Sequence, residues 1–125
     1  MVCDDERDVV TLIRFLLQKD GHQITEAYDG KDALEKLGVD PKRDDVELPE
    51  LIIIDVMMPV LDGYATAARL REHPAASKIP VIVLTAKGQA RDLFEKAPNV
   101  AAYLEKPFNP KDLRDMVKGI VAGKR

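Results

Sequence analysis

Asp55 ends an unbroken apolar run, Leu51-Ile52-Ile53-Ile54, and is followed by Val56-Met57-Met58-Pro59 and a Leu61-Asp62-Gly63 turn. Three other candidate strands also end on polar groups: Met1-Val2-Cys3 on Asp4-Asp5, Val81-Ile82-Val83-Leu84 on Thr85, and Ala102 to Glu105 on Lys106. Three carboxylates packed together would raise one another's pKa unless positive charge sat among them. Lys106 neutralises part of that charge, and a hard divalent ion would neutralise more. Oxygen donors without a histidine or cysteine nearby favour Mg²⁺. A carboxylate, a hydroxyl, an ammonium and Mg²⁺ suit phosphoryl transfer onto the carboxylate. Asp55 would attack, the metal and Lys106 would hold two phosphoryl oxygens, and Thr85 would hydrogen-bond the third. Ala86, small and adjacent, leaves the approach open.

These groups meet only if the strands run parallel, because the carboxyl ends of parallel strands lie on one edge of a sheet. The Leu51–Ile54 run, three of its four residues β-branched, reads as a strand buried on both faces, the mark of a central parallel strand. Val9, Leu12, Ile13, Leu16 and Leu17 recur at helical spacing up to Asp20-Gly21, where the chain can leave a helix. A short strand is expected over Gln23 to Ala27, a brief helix over Lys31 to Leu37 and an exposed loop over Val39 to Pro49. A helix over Tyr64 to Glu72 and a weaker fourth helix over about Gln89 to Ala97 flank the Val81–Thr85 strand. Asn109-Pro110 then supplies an N-cap and a helix-compatible proline ahead of Leu113, Met116, Val117, Ile120 and Val121. Five strands alternating with five helices imply an α/β, doubly wound parallel sheet with helices on both faces. Only Met1-Val2-Cys3 precede Asp4, so the first strand is expected to be short. His22 and His73 fall in loops or at helix ends and are expected to be solvated.

At 125 residues, with 46% hydrophobic and 33% charged residues, the chain has the size and balance of one globular domain. Net charge is −3 and the basic residues are scattered, which argues against direct nucleic-acid binding. Cys3 is the single cysteine, so no internal disulfide forms. No apolar stretch is long enough to span a bilayer, and Asp4, Asp5 and Glu6 follow Met1 too closely for a signal peptide. A soluble, cytoplasmic protein is the expectation.

The chain resembles, over essentially its whole length, the CheY-like receiver domain of two-component response regulators. The resemblance is carried by Asp4-Asp5-Glu6, by Leu51 to Asp55 with Met58-Pro59 and Asp62-Gly63, by Thr85-Ala86-Lys87-Gly88, and by Tyr103-Leu104-Glu105-Lys106-Pro107-Phe108. It implies a flavodoxin-like (βα)5 fold with strand order 2-1-3-4-5, and a single receiver domain over residues 1–125 without an output domain. Asp55 would take phosphate from a phosphohistidine on a sensor histidine kinase or histidine phosphotransfer protein, and the domain would catalyse its own transfer and autodephosphorylation. Asp5, Asp55 and the backbone carbonyl of Met57 would bind Mg²⁺ directly, and Asp4 through water. Lys106 would contact the phosphoryl group, the Lys106-Pro107 peptide would be cis, and Thr85 with Tyr103 would form the switch. A downstream protein would bind the face of the fourth helix, last strand and fifth helix, and the domain would be a monomer or weak dimer. Where the family commonly has a glycine before the last strand this chain has Asn99, which can visit a left-handed backbone in its place at some cost. Two other readings are a pseudo-receiver acting only as an interaction module and an aspartyl-nucleophile phosphatase, the latter disfavoured because Met57 stands where such enzymes place a second acid.

Overall fold

The computed structural model describes residues 1–86 and 98–123. Its strands are β1 (Val2–Cys3), β2 (Glu26–Ala27), β3 (Ile52–Asp55), β4 (Val81–Ala86) and β5 (Val100–Lys106), and its helices are α1 (Arg7–Lys19), α2 (Gly30–Lys36), α3 (Gly63–Glu72) and a last helix, Pro110–Gly123. A 3₁₀ turn, Ala76–Lys78, leads into β4. All five strands pair in parallel in the order β2-β1-β3-β4-β5. The expected fourth helix, Gln89 to Ala97, and the Lys87-Gly88 step lie outside the described residues.

The sheet is two-faced because alternate strand residues point to opposite sides. Val2, Ile53, Ile82, Leu84 and Leu104 pack with Val10, Ile13 and Leu17 of α1 and with Leu113 and Val117 of the last helix. Cys3, Ile52, Ile54, Val81 and Val83 pack with Ala33 and Leu34 of α2 and Ala67 and Leu70 of α3. Burying each large aliphatic contributes about 1.5–3 kcal/mol, so the β3 isoleucines, with one face each way, anchor both layers.

Caps set where the helices begin. Asp29 accepts from the Asp32 N–H at 2.7 Å, Asp62 from the Ala65 N–H at 2.8 Å, and Asn109 from the Lys111 N–H at 2.8 Å. The second strand is shorter than expected because β2 is an edge strand whose one partner among the described residues is the two-residue β1. The last strand is longer than expected because β4 offers six residues to pair with, across one register irregularity near Val81.

Asn99 does not take the left-handed backbone open to it, and neither histidine is fully solvated, His22 being half-buried as well. Asn99 keeps a negative φ and is buried, its side-chain amide donating to the Ala67 carbonyl at 3.3 Å, so it ties the turn before β5 to α3. His73 is half-buried rather than solvated: its Nδ1 accepts from the Ala76 N–H at 3.1 Å, starting the 3₁₀ turn, and its Nε2 is enclosed.

Candidate functional site

The same alternation that divides the core assembles the site. Asp4, Asp55 and Lys106 lie two residues beyond Val2, Ile53 and Leu104, so all three stand at the carboxyl edge on the side of α1 and the last helix. The Lys106 Nζ lies 2.7 Å from Asp4 Oδ2, 3.3 Å from Asp55 Oδ1 and 3.3 Å from Glu6 Oε1. Asp4 is fully buried and Asp55 is 5% exposed, while Asp5 beside them is exposed. Asp4 Oδ1 also accepts from the Glu6 N–H at 3.0 Å, so both oxygens of Asp4 are engaged by the protein.

Burial, and after it the charge of Asp4, pushes the Asp55 carboxyl up to about 6, with Lys106 opposing. Burial also raises Asp4 above the ordinary carboxylate range, against its bond to Lys106. For Lys106, burial disfavours the ammonium, but the Asp4 bond and the charges of Asp4 and Asp55 outweigh it and hold its pKa above the usual lysine value. One lysine therefore does not balance the acids around it. Asp4, Asp5 and Asp55 each offer a carboxylate oxygen within 4.8 Å of the others. An all-oxygen set with surplus negative charge fits a hard divalent cation.

The loop after Asp55 is held tightly. The Gly63 N–H donates to the Val56 carbonyl at 2.9 Å, and Leu61 N–H donates to the Pro59 carbonyl at 2.7 Å across Val60, whose φ is 69°. That φ is an outlier for a β-branched residue, so the loop beside the acids carries backbone strain. The Lys106–Pro107 peptide is cis.

Residues 1–118 match the family described as the response regulator receiver domain. The chain belongs to that family. It is 34% identical over 125 residues to the alkaline phosphatase synthesis transcriptional regulatory protein PhoP of Bacillus subtilis, covering 97% of this chain and 47% of that protein. It is 37% identical over 125 residues to protein PilG of Pseudomonas aeruginosa, covering 97% of this chain and 85% of PilG. Among solved structures it is similar to response regulator protein TrrA of Thermotoga maritima in complex with Mg²⁺-BeF, with a TM-score of 0.78, 28% identity, and 95% of each chain covered. The chain spans about half the length of the first curated relatives it matches. It is thus a receiver domain of two-component signalling with a CheY-like, flavodoxin-like fold, a signalling domain. No helix among the described residues is long and apolar enough to cross a membrane.

In this receiver domain the polar strand ends fall into two groups. Asp4, Asp5, Asp55 and Lys106 come together. Thr85, 3% exposed, lies two residues beyond Val83 and so shares the other face of the sheet with Tyr103, the register partner of Val83. Tyr103 is half-buried against the α2–α3 core with its hydroxyl enclosed. Ala86 closes β4 and is exposed, whereas Met57 is 63% exposed on the loop. Sequence reasoning assigned no role to Glu6, which the structure places on Lys106. Its signal was the third acid of Asp4-Asp5-Glu6, directly before α1.

The raised Asp55 pKa has a testable consequence for stability. Unfolded, the carboxyl titrates near the ordinary 3.8, and folded near 6, so between those values the folded state holds more protons. Stability from this group is full below about pH 4 and is lost as pH rises through about 6. In chelator-treated protein at pH 7.5, Asp55→Asn is therefore expected to raise the melting temperature by a few degrees, and at pH 4 to leave it nearly unchanged. Equal melting temperatures of wild type and Asp55→Asn at pH 7.5 would show that the buried charge is already compensated.

Proposed function

We propose that Asp55 is the phosphoacceptor of this receiver domain, taking a phosphoryl group from a phosphohistidine on a sensor histidine kinase or histidine phosphotransfer protein. The observation that carries this reading is the 3.3 Å approach of Lys106 to an enclosed Asp55 that is flanked by Asp4 and Asp5. The Asp55 oxygen forms its bond to phosphorus as the phosphorus–nitrogen bond breaks and the imidazole leaves. Lys106 neutralises one phosphoryl oxygen, and the Thr85 hydroxyl, which starts on the other face of the sheet, would be drawn round the end of β4 to donate to another. Asp5, Asp55 and the Met57 carbonyl would hold Mg²⁺ directly, and Asp4 through water. Bound there, the ion would supply positive charge opposite the phosphoryl oxygens. The engagement of both Asp4 oxygens by Glu6 and Lys106, beside an exposed Asp5, supports that division. Water attack on the aspartyl phosphate would return the domain to its starting state.

The signal would pass through Thr85 and Tyr103 to a downstream protein at the face that includes β5 and the last helix. A hydrogen bond to a charged group is worth about 1.5–3 kcal/mol, and an improved Lys106 contact adds a similar amount. Together they approach the roughly 5.5 kcal/mol that carries a two-state equilibrium from 1:99 to 99:1. Because the Tyr103 hydroxyl is already enclosed, the change there would be a repacking of an inward ring. The domain would act in the cytoplasm as a monomer or weak dimer. Met57, at the position where an aspartyl-nucleophile phosphatase needs its second acid, speaks against that reading.

The test is titration with beryllofluoride, a phosphoryl mimic, followed by amide NMR. With Mg²⁺ present the amides of Thr85, Ala86 and Tyr103 are expected to shift, and with chelator they are not. An unchanged spectrum with both Mg²⁺ and beryllofluoride would reject the proposal and favour a pseudo-receiver.

A further inference from the structure

The Lys106 ammonium is shared unequally among its three acids. It is held by Asp4 at 2.7 Å and stands equally far, 3.3 Å, from Glu6 at the start of α1 and from Asp55 at the end of β3. Glu6 occupies the N-cap position of α1, yet its side chain makes no capping hydrogen bond to the helix. A carboxylate there would ordinarily be drawn to the free N–H groups of the first turn. Here it is committed to Lys106 instead, and the Glu6 N–H is fixed by Asp4, so Asp4, Glu6 and Lys106 close a ring. Within that ring Asp4 is fully buried, with both oxygens engaged, and cannot give up its partner without leaving a bare buried charge. The Glu6 side chain is 63% exposed, so water can take over its charge. It is the contact that can be released.

We propose that Glu6 is a positioning residue that holds the Lys106 ammonium on the α1 side of the pocket in competition with a phosphoryl group on Asp55, and so sets how readily the site accepts that group. This rests on the reading of Asp55 as phosphoacceptor. An ammonium has three donors, and a phosphoryl oxygen is a strong, charged acceptor. As Lys106 turns toward Asp55 it keeps Asp4 and gives up Glu6. The negative charge of Glu6 therefore favours the unphosphorylated arrangement, and neutralising it shifts the balance toward the phosphoryl-bound one.

The experiment compares Glu6→Gln with Asp8→Asn, which removes the same charge from the first turn of α1 at a residue that does not pair with Lys106. Unchanged amide spectra away from α1 establish that both variants fold. In metal-free protein the Lys106 Nζ resonance is expected to move in Glu6→Gln and to stay in place in Asp8→Asn. At saturating Mg²⁺, Glu6→Gln is expected to bind beryllofluoride about two- to fivefold more tightly than wild type, the range set by release of one exposed ion pair. Asp8→Asn should bind as wild type does. An unmoved Lys106 signal in Glu6→Gln, or equal beryllofluoride affinities for the two variants, would overturn the proposal while wild-type binding leaves Asp55 in its role. Failure of wild type itself to bind would overturn the phosphoacceptor reading and this inference with it.

Discussion

Incubated with acetyl phosphate and Mg²⁺, the protein is expected to gain the mass of one phosphoryl group, and Asp55→Asn is expected to gain none. Removing a nucleophile takes away the bond-forming atom itself, so the initial rate should fall by on the order of 10²-fold or more. Asp5→Asn is the informative comparison, because it leaves the Asp55 oxygen in place and removes only an exposed carboxylate of the acidic set. It should still reach the phosphorylated mass, more slowly and at higher Mg²⁺. Intact-mass spectrometry over a time course separates the two. Phosphorylation of Asp55→Asn at the wild-type rate would move the phosphoacceptor to another residue, with Asp4 and Asp5 next to be replaced.

Asp55 was legible because its signal is local: four large aliphatics in a row have only a buried strand to occupy, and the carboxylate that ends them must stand at the strand's end. The meeting of Asp4, Asp55 and Lys106 was legible one step further on, since strand–helix alternation puts strand ends on one edge whatever the loops do. Which face each group takes required the register. Thr85 and Lys106 both end strands, yet Thr85 lies two residues past Val83 on the α2–α3 side and Lys106 two past Leu104 on the α1 side. The Glu6–Lys106 contact was not legible at all, because it joins residues 100 apart and depends on the reach of a flexible lysine. His73 was misread for a related reason. A histidine after a helix looks like a surface residue until the following turn supplies the Ala76 N–H for it to accept. The two-residue length of β2 followed from its partner β1 and not from its own residues.

Gly63 couples the fold to the site closely enough that one methyl group should disturb both. A Cβ built at Gly63 would fall 2.5 Å from the Asp55 carbonyl oxygen and 2.9 Å from the Val56 Cα, both backbone atoms of the strand end that carries the site. No side chain can rotate aside, so the start of α3 must move away from the end of β3, or β3 must shift. The 2.9 Å bond from the Gly63 N–H to the Val56 carbonyl resists either movement. Overpacking of this kind costs about 1–3 kcal/mol, against less than about 1 kcal/mol gained from alanine's helix preference. For a domain of this size the melting temperature of Gly63→Ala is expected to fall by roughly 5–10 °C. Gly119→Ala is the control, because nothing lies within 4 Å of its Cβ position in the last helix. There the same change should hold or slightly raise stability. A shifted strand end also displaces Asp55 from Lys106, so Gly63→Ala should accept phosphate from acetyl phosphate more slowly than wild type at a temperature where both are folded, while Gly119→Ala should match wild type. If Gly63→Ala melts with wild type and is phosphorylated as fast, the close approach of α3 to the end of β3 does not hold Asp55 in place, and the strained turn at Val60 becomes the next candidate for that task.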